Sequence, residues 1–362
     1  MSSKIRFALI GCGAVASAHA KAIAALPEAE LVAVAGRTGD RLRAFAETWG
    51  GLDAYPDYEE LLRREDIDAV GICTPSGLHG DIALRVAEAG KHALVEKPID
   101  IRLDKADAMI GAFRSRGLKL GIISQHRFDP DVVRLKELLE AGVLGRPVLA
   151  SASVHWYRNQ AYYDSSDWRG TWAGDGGGVL INQSIHTVDL LQHLMGTVAE
   201  VTAHAATMTH RMETEDTATA VLRFASGALG TFSCTTSAYP GYASRIEIVG
   251  SAGSAVLEGE ALTQLYLNKG DGTGEVNEAD AHRAASDGTR AGGDPAAGMG
   301  KDAFIAQYAD FASAIREDRE PSVNGEAGRS ALAFVLAAYR SSAAGGGKVT
   351  VNDLSMDQDT AT

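Results

Sequence analysis

The sequence is poor in cysteine: Cys12, Cys73 and Cys234 are the only three in 362 residues, and their spacing offers neither a disulfide framework nor a metal-ligand set. That excludes a small disulfide-stapled secreted scaffold and fits a reducing cytoplasm. Long apolar runs are also missing. Nothing approaches the ~20 residues of a membrane span, and the apolar stretch Ala331 to Ala338 is bracketed by Arg329 and Arg340. Positive charge is in deficit: 34 Lys and Arg face 47 Asp and Glu, a net charge of −13. Nucleic-acid phosphates and anionic membrane surfaces are disfavoured as partners on that balance. Lys4 and Arg6 before Phe7-Ala8-Leu9-Ile10-Gly11-Cys12 imitate a lipoprotein signal. The apolar core ends at Ile10, short of the roughly 7–15 residues of an export signal, so export is rejected.

What is present is an ordinary globular composition, 45% apolar and 22% charged, on a chain long enough for two domains. In the first third, short apolar runs alternate with helical patterns. Ile5–Ile10, Leu31–Ala35, Ala69–Cys73, Ala93–Val95 and Leu118–Ile123 read as buried strands. Ala14–Leu26, Asp40–Trp49, Leu78–Ala89 and Leu103–Arg116 read as the helices between them. Such alternation predicts a doubly wound parallel sheet. The pattern changes near Gln125. After a helix at Asp131–Ala141, strands are expected at Val148–His155, Val201–Met208, Thr217–Phe224, Leu229–Thr235, Ser244–Ile248 and Ala255–Leu257. Helices are expected at Val179–Leu194, Ala303–Ile315 and Ala327–Tyr339. The expectation is an α/β domain over residues 1–124 and, over 125–362, an α+β domain with a large, mostly antiparallel sheet. Gly270–Gly300 reads as a long loop, and the chain beyond Asp353 as a polar tail.

Chemistry concentrates at the ends of the predicted parallel strands, where open α/β sheets bind ligands. Gly11-Cys12-Gly13-Ala14-Val15-Ala16 follows the first strand and opens the first helix. Gly11 permits a tight turn, Gly13 lets the backbone approach a pyrophosphate, and Ala16 keeps the helix near the strand. After the second strand stands Gly36-Arg37-Thr38, with Arg41 one turn on and no acid for a ribose diol. Arg37 and Arg41 suit a 2′-phosphate and favour NADP; an arginine stacked on the adenine would serve NAD equally. Thr74-Pro75-Ser76 breaks a strand and opens a helix, as a cofactor-ribose loop would. His79, on that helix, either faces the cofactor or caps and packs the helix.

Glu96-Lys97-Pro98 ends a further strand. Proline keeps Lys97 out of a helical conformation, and an ammonium beside a nicotinamide is placed to hydrogen-bond a substrate hydroxyl or carry its proton. Further on, Gly176-Gly177-Gly178 precedes Asn182, His186, Asp189 and His193. On one continuous helix these fall on a broad common face. His186 suits a general acid or base near neutral pH, Asn182 suits a hydroxyl-orienting role, and Asp189 either orients the imidazole or closes a buried network. A metal site on His186, Asp189 and His193 has the spacing but no completing ligands nearby, so no metal is expected. Trp156, Trp168 and Trp172 cluster with Tyr157, Tyr162, Tyr163, Arg158 and Arg169. Flat aromatic faces and charged donors together suit a sugar ring, and equally an aromatic loop packed at an interface.

These segments resemble the Gfo/Idh/MocA oxidoreductase family over nearly the whole chain. The resemblance rests on the Gly11–Ala16 turn, Thr74-Pro75 with His79, Glu96-Lys97-Pro98, and Asn182 with His186 and Asp189. It implies a Rossmann domain followed by an α+β domain, with Lys97 and His186 as the catalytic pair. Asn182 stands where inositol dehydrogenases carry an acid, so the proton relay differs. Glu96 and Gln125 are implied to lie near the nicotinamide, and Trp168-Arg169 to reach the cofactor from the second domain. The run Trp168-Arg169-Gly170-Thr171, then Asp175-Gly176-Gly177-Gly178 and Asn182-Gln183, is similar to dehydrogenases acting at a pyranose ring carbon, nucleotide-sugar 3-dehydrogenases and levoglucosan dehydrogenase among them. Arg127 and Tyr163 join Lys97, Asn182 and His186 as substrate residues. The reading is a cytoplasmic NAD(P)-dependent dehydrogenase of a sugar or cyclitol, a homodimer or homotetramer paired through the open sheet face. A ketosugar reductase using NADPH, or a sensor without catalysis, are the alternatives.

Overall fold

The computed structural model describes residues 4–37, 39–268, 275–277 and 301–354. The chain forms two compact units. The first comprises Met1–Gln125 with Met299–Arg329; the second, His126–Gly298 with Ser330–Thr362.

In the first unit the apolar runs form β1 (Ile5–Ile10), β2 (Ala29–Ala35), β3 (Asp53–Tyr55), β4 (Ala69–Ile72), β5 (His92–Val95) and β6 (Leu120–Ile122). They assemble in the order β3-β2-β1-β4-β5-β6, every pairing parallel. The helices are α1 (Ala16–Ala25), α2 (Gly39–Thr48), α3 (Tyr58–Leu62), α4 (His79–Glu88) and α5 (Leu103–Ser115). The doubly wound sheet expected from the alternation is therefore present. The strand order reverses direction at the β1–β4 neighbourhood, which makes the carboxyl ends of those two strands the switch point where ligands bind. β3 lacks an apolar run because it is the edge strand of this sheet and is largely exposed.

A further helix, Lys301–Glu317, packs in this unit, although contiguous domains divided at 124 would have put it in the second. The reason is its apolar stripe. Phe304, Tyr308 and Phe311 are buried in the same core as Phe7, Leu9 and Ile23, with Tyr308 edge-on to Phe7 at 5.5 Å.

The second unit is built on α6 (Pro130–Glu140), β7 (Pro147–His155), α7 (Gln160–Asp164), α8 (Ile185–Met195), β8 (Val198–Ala206), β9 (Thr217–Phe224), β10 (Leu229–Thr235), β11 (Arg245–Gly250), β12 (Gly253–Glu258), β13 (Ala261–Asn268), β14 (Glu275–Asn277) and β15 (Val349–Thr350). Among the described residues these strands form one sheet, ordered β14-β13-β12-β11-β7-β10-β9-β8-β15. It is antiparallel apart from the β7–β10 pair. Alternation decides its faces. Along β9, Ala218, Ala220, Leu222 and Phe224 are buried while Thr219, Val221 and Arg223 are exposed. Phe232 of β10 meets Phe334, on the helix Gly325–Ala343, at 5.8 Å on the buried face. The other face carries Ser, Thr and exposed Leu149, Val221 and Leu229. Apart from β14, the Gly270–Gly300 loop lies outside the described residues, as does the tail beyond Leu354. No helix among the described residues is long and apolar enough to cross a membrane.

Candidate active site

The first unit places its glycine turn at the switch point. Gly11 follows β1 with φ +108°, and a Cβ there would lie 2.5 Å from the Cys73 carbonyl oxygen, so only glycine fits. A Cβ on Gly13 would meet nothing within 4 Å, which leaves open space over the turn. No side chain caps the amides at the start of α1, and its first turn holds no acid. Thr74 Oγ1, after β4, is buried without a protein partner. An open cradle, an uncapped helix N-terminus and an orphaned hydroxyl fit a dinucleotide: Gly11, Cys12, Gly13, Ala14 and Val15 would hold its pyrophosphate, with Thr74, Pro75 and Ser76 beside it. Arg37 and Arg41 are exposed after β2, and neither is in an ion pair among the described residues. Arg41 lies close enough to Cys12 to act on its thiol; burial pushes that thiol up, and Arg41 pulls it back. Thr38 lies outside the described residues.

Behind the turn runs a buried polar chain. One ring nitrogen of His19 on α1 lies 2.6 Å from the Tyr308 hydroxyl, the other 2.9 Å from Glu96 Oε1. Glu96 Oε2 accepts the backbone N–H of Lys97 at 3.1 Å. Burial works against the Glu96 charge, but the His19 hydrogen bond and the neighbouring Lys97 and His79 carry its pKa below the ordinary carboxylate value. Glu96 therefore anchors the Lys97 backbone from inside the fold. Of the two readings of His79, its geometry is that of a brace. It is buried, and its ring nitrogens lie 2.8 Å from the Pro98 carbonyl oxygen and 2.9 Å from that of Thr74, which ties the two turns together. Gln125 is buried at the end of this unit.

In the second unit the expected helix Val179–Leu194 begins only at Ile185. The buried Glu215 carboxylate draws the preceding amides away from helical partners: Gly178 N–H donates to Oε2 and Leu180 N–H to Oε1, both at 2.9 Å. Val179 N–H donates to the Glu215 carbonyl at 3.0 Å. Asn182 thus sits in a turn ahead of α8, not on a shared helical face. Its side-chain amide donates to Asp175 Oδ1 at 2.5 Å, and Asp175 Oδ2 accepts Gly170 N–H at 2.9 Å. His186 is half-buried in the first turn of α8.

The packing around His186 has no periodic signature in the sequence. Its ring stands perpendicular to that of His126, with centroids 5.1 Å apart. Arg127, expected to meet substrate, instead grips Asp189 with two hydrogen bonds, Nε to Oδ2 at 2.7 Å and Nη2 to Oδ1 at 2.5 Å. Burial, with Arg127 adding to it, pushes His193 down to about 4, so it is neutral at pH 7.

The aromatic segment stacks on itself. The Arg169 guanidinium lies 4.5 Å from the Tyr162 ring centroid and 4.7 Å from that of Trp168. Arg158 covers Trp156 and Tyr162. Tyr163, expected at substrate, is 5% exposed with its hydroxyl on Thr236 at 2.8 Å, so it is a packing residue.

A doubly wound sheet with an open glycine cradle at its switch point defines a class: a dinucleotide-binding oxidoreductase. Residues 5–124 match the sequence model described as an oxidoreductase family with an NAD-binding Rossmann fold, and residues 132–256 match the GFO/IDH/MocA C-terminal domain. The chain belongs to the Gfo/Idh/MocA family. It is 30% identical over 264 residues to the scyllo-inositol 2-dehydrogenase (NAD(+)) of Bacillus subtilis, covering 70% of this chain and 74% of that one. Among solved structures, the WlbA dehydrogenase of Bordetella pertussis with NADH and UDP-GlcNAcA is 32% identical, with a TM-score of 0.81, covering 96% of this chain and 98% of the other. Levoglucosan dehydrogenase with NADH and levoglucosan is 27% identical, with a TM-score of 0.83, covering 96% and 100%. The protein is accordingly a nicotinamide-dependent dehydrogenase of this family.

Proposed function

We propose that the enzyme oxidises a secondary alcohol on a sugar or cyclitol ring, with a pyranose C3 hydroxyl as the narrower reading. The observation that carries this is the Asp175–Asn182 pair held in a pinned turn directly ahead of His186. It sets a neutral hydrogen-bonding amide and a titratable imidazole on one short segment, which suits an uncharged polyol. The relatives named above, two of them named as dehydrogenases of scyllo-inositol and levoglucosan and one solved with UDP-GlcNAcA, support the substrate class.

Bound nicotinamide supplies the hydride acceptor. His186 takes the hydroxyl proton. Lys97, its backbone anchored by Glu96, polarises the same hydroxyl, and Asn182 orients a neighbouring one. Arg37 and Arg41 support NADP; the NADH complexes of the relatives support NAD. Trp168 and Arg169 are proposed at the cofactor edge, with Gln125. The exposed face around Leu149, Val221 and Leu229 is proposed to pair copies of the chain into a dimer or tetramer. Three free thiols support a cytoplasmic setting.

The test is turnover on a panel of pyranoses, sugar acids, anhydrosugars and inositols with NAD⁺ and NADP⁺ side by side. Lys97→Ala and His186→Ala should each cost ~10²–10⁴-fold in kcat/KM on the substrate found. Near-normal turnover in both variants would reject the assignment.

A further inference from the structure

The side chain that packs on His186 belongs to a cluster no role has yet absorbed. His126 lies in the turn Gln125–Phe128, just before α6. Its Nδ1 is 2.9 Å from Asp129 Oδ2 and 3.3 Å from Glu260 Oε1, the latter in the turn between β12 and β13. From α8 it is faced by the His186 ring at 5.1 Å and by the charge of Asp189, which Arg127 partly offsets. His126 is buried, the Asp129 side chain is half-buried, and Glu260 reaches solvent. Two carboxylates converging on one buried imidazole nitrogen are more than packing needs.

We propose that His126 is a positioning residue for this reaction: gripped by Asp129 and Glu260, it fixes the orientation of the His186 ring and holds a protonatable ring against it. Burial alone would push the His126 pKa down. The Asp129 hydrogen bond and then the Glu260 charge turn that balance, and the pKa lies above the ordinary histidine value. In its protonated form His126 puts a cation at ring contact, which disfavours a second proton on His186 and keeps that imidazole in the form that accepts the substrate proton. The perpendicular contact holds the ring in one plane.

The inference rests on His186 being the base, and the experiment separates the two. The acidic limb of the kcat/KM pH profile for alcohol oxidation reports protonation of the free enzyme's base. Removing the neighbouring positive charge makes His186 easier to protonate, so His126→Phe, which keeps a ring, should move that limb up by roughly one pH unit. His126→Arg keeps the charge and offers a fork to both carboxylates; it should return the limb to within a few tenths of a unit of wild type. Where the Phe variant does not fold, His126→Gln still donates to Asp129 and should show the same upward shift. A wild-type limb in the neutral variants, or an equal shift in His126→Arg, overturns the inference. So does a limb that moves on treatment with EDTA, which would put a divalent ion on His126, Asp129 and Glu260 instead. His186→Asn is run in parallel. Retained turnover with an unchanged limb rejects His186 as base, whereas a loss of ~10²–10⁴-fold beside an unmoved limb in His126→Phe rejects only the role of His126.

Discussion

Tyr339 donates its hydroxyl hydrogen to Glu215 Oε1 across 2.8 Å, in a buried setting where the same carboxylate takes the amides of Gly178 and Leu180. This contact joins the helix Gly325–Ala343 to the turn that carries Asn182. It explains the glycines there: a Cβ on Gly177 would lie 2.1 Å from the Tyr339 hydroxyl, and one on Gly178 would lie 1.8 Å from the Glu215 carbonyl oxygen.

Burial pushes the Glu215 pKa from 4.5 up to about 7, against the pull of its amide and Tyr339 hydrogen bonds. The folded state therefore holds a proton that the unfolded chain releases at lower pH. Stability from this group is greatest below 4.5 and is lost as pH rises to about 7, a change of roughly 3 kcal/mol. Urea midpoints measured from pH 5 to pH 8 should fall for wild type and flatten for Glu215→Gln, which has no charge to bury. Parallel slopes for the two proteins would count against this account.

Gly11 and Gly13, two residues apart in one turn, should behave oppositely. Gly11→Ala must displace the Cys73 carbonyl and occupy φ +108°, so it should destabilise the fold by ~1–3 kcal/mol. Gly13→Ala meets no protein atom and should leave thermal stability within ~0.5 kcal/mol while weakening cofactor binding at least tenfold. Calorimetry with and without NADH or NADPH reads both.

The Arg127–Asp189 pair is largely buried, with side chains 14% and 6% exposed. Asp189→Asn leaves the guanidinium without its counter-charge, and breaking such a pair costs ~3–5 kcal/mol. Arg127→Met with Asp189→Leu should recover most of that loss. A double-mutant cycle in urea gives the coupling energy directly; additive losses would show that the pair is not a unit.

Arg37 and Arg41 decide the cofactor if NADP is used. Charge-assisted hydrogen bonds of ~1.5–3 kcal/mol predict a drop of ~10–100-fold in kcat/KM for NADP⁺ on Arg37→Ala, with NAD⁺ little changed. Equal losses with both cofactors would instead place the arginine on the adenine.

Much of the first unit was legible in the sequence because each buried parallel strand must be continuously apolar, and each turn at its carboxyl end must carry glycine, proline or a charge. That logic located the Gly11–Val15 cradle, the Thr74 turn and Lys97. It also made the second sheet readable from alternation. It failed where the signal is not periodic. β3 is short and exposed, so it has no apolar run. The start of α8 was placed six residues early because Val179 to Ser184 has helical character, and the force that unwinds it comes from Glu215, more than 30 residues on in sequence.

What the sequence by itself determined was the class of fold, the glycine turn after β1 and the identity of the titratable side chains, since these follow from local pattern and residue chemistry. Only the tertiary structure decided how those side chains are partnered. It put Arg127 on Asp189, His79 between two turns and Tyr163 in the core, and it set His126 against His186. Each of these depends on charges and rings brought together from distant segments, and burial decides which of them pair because an unpartnered polar group cannot be left inside the fold.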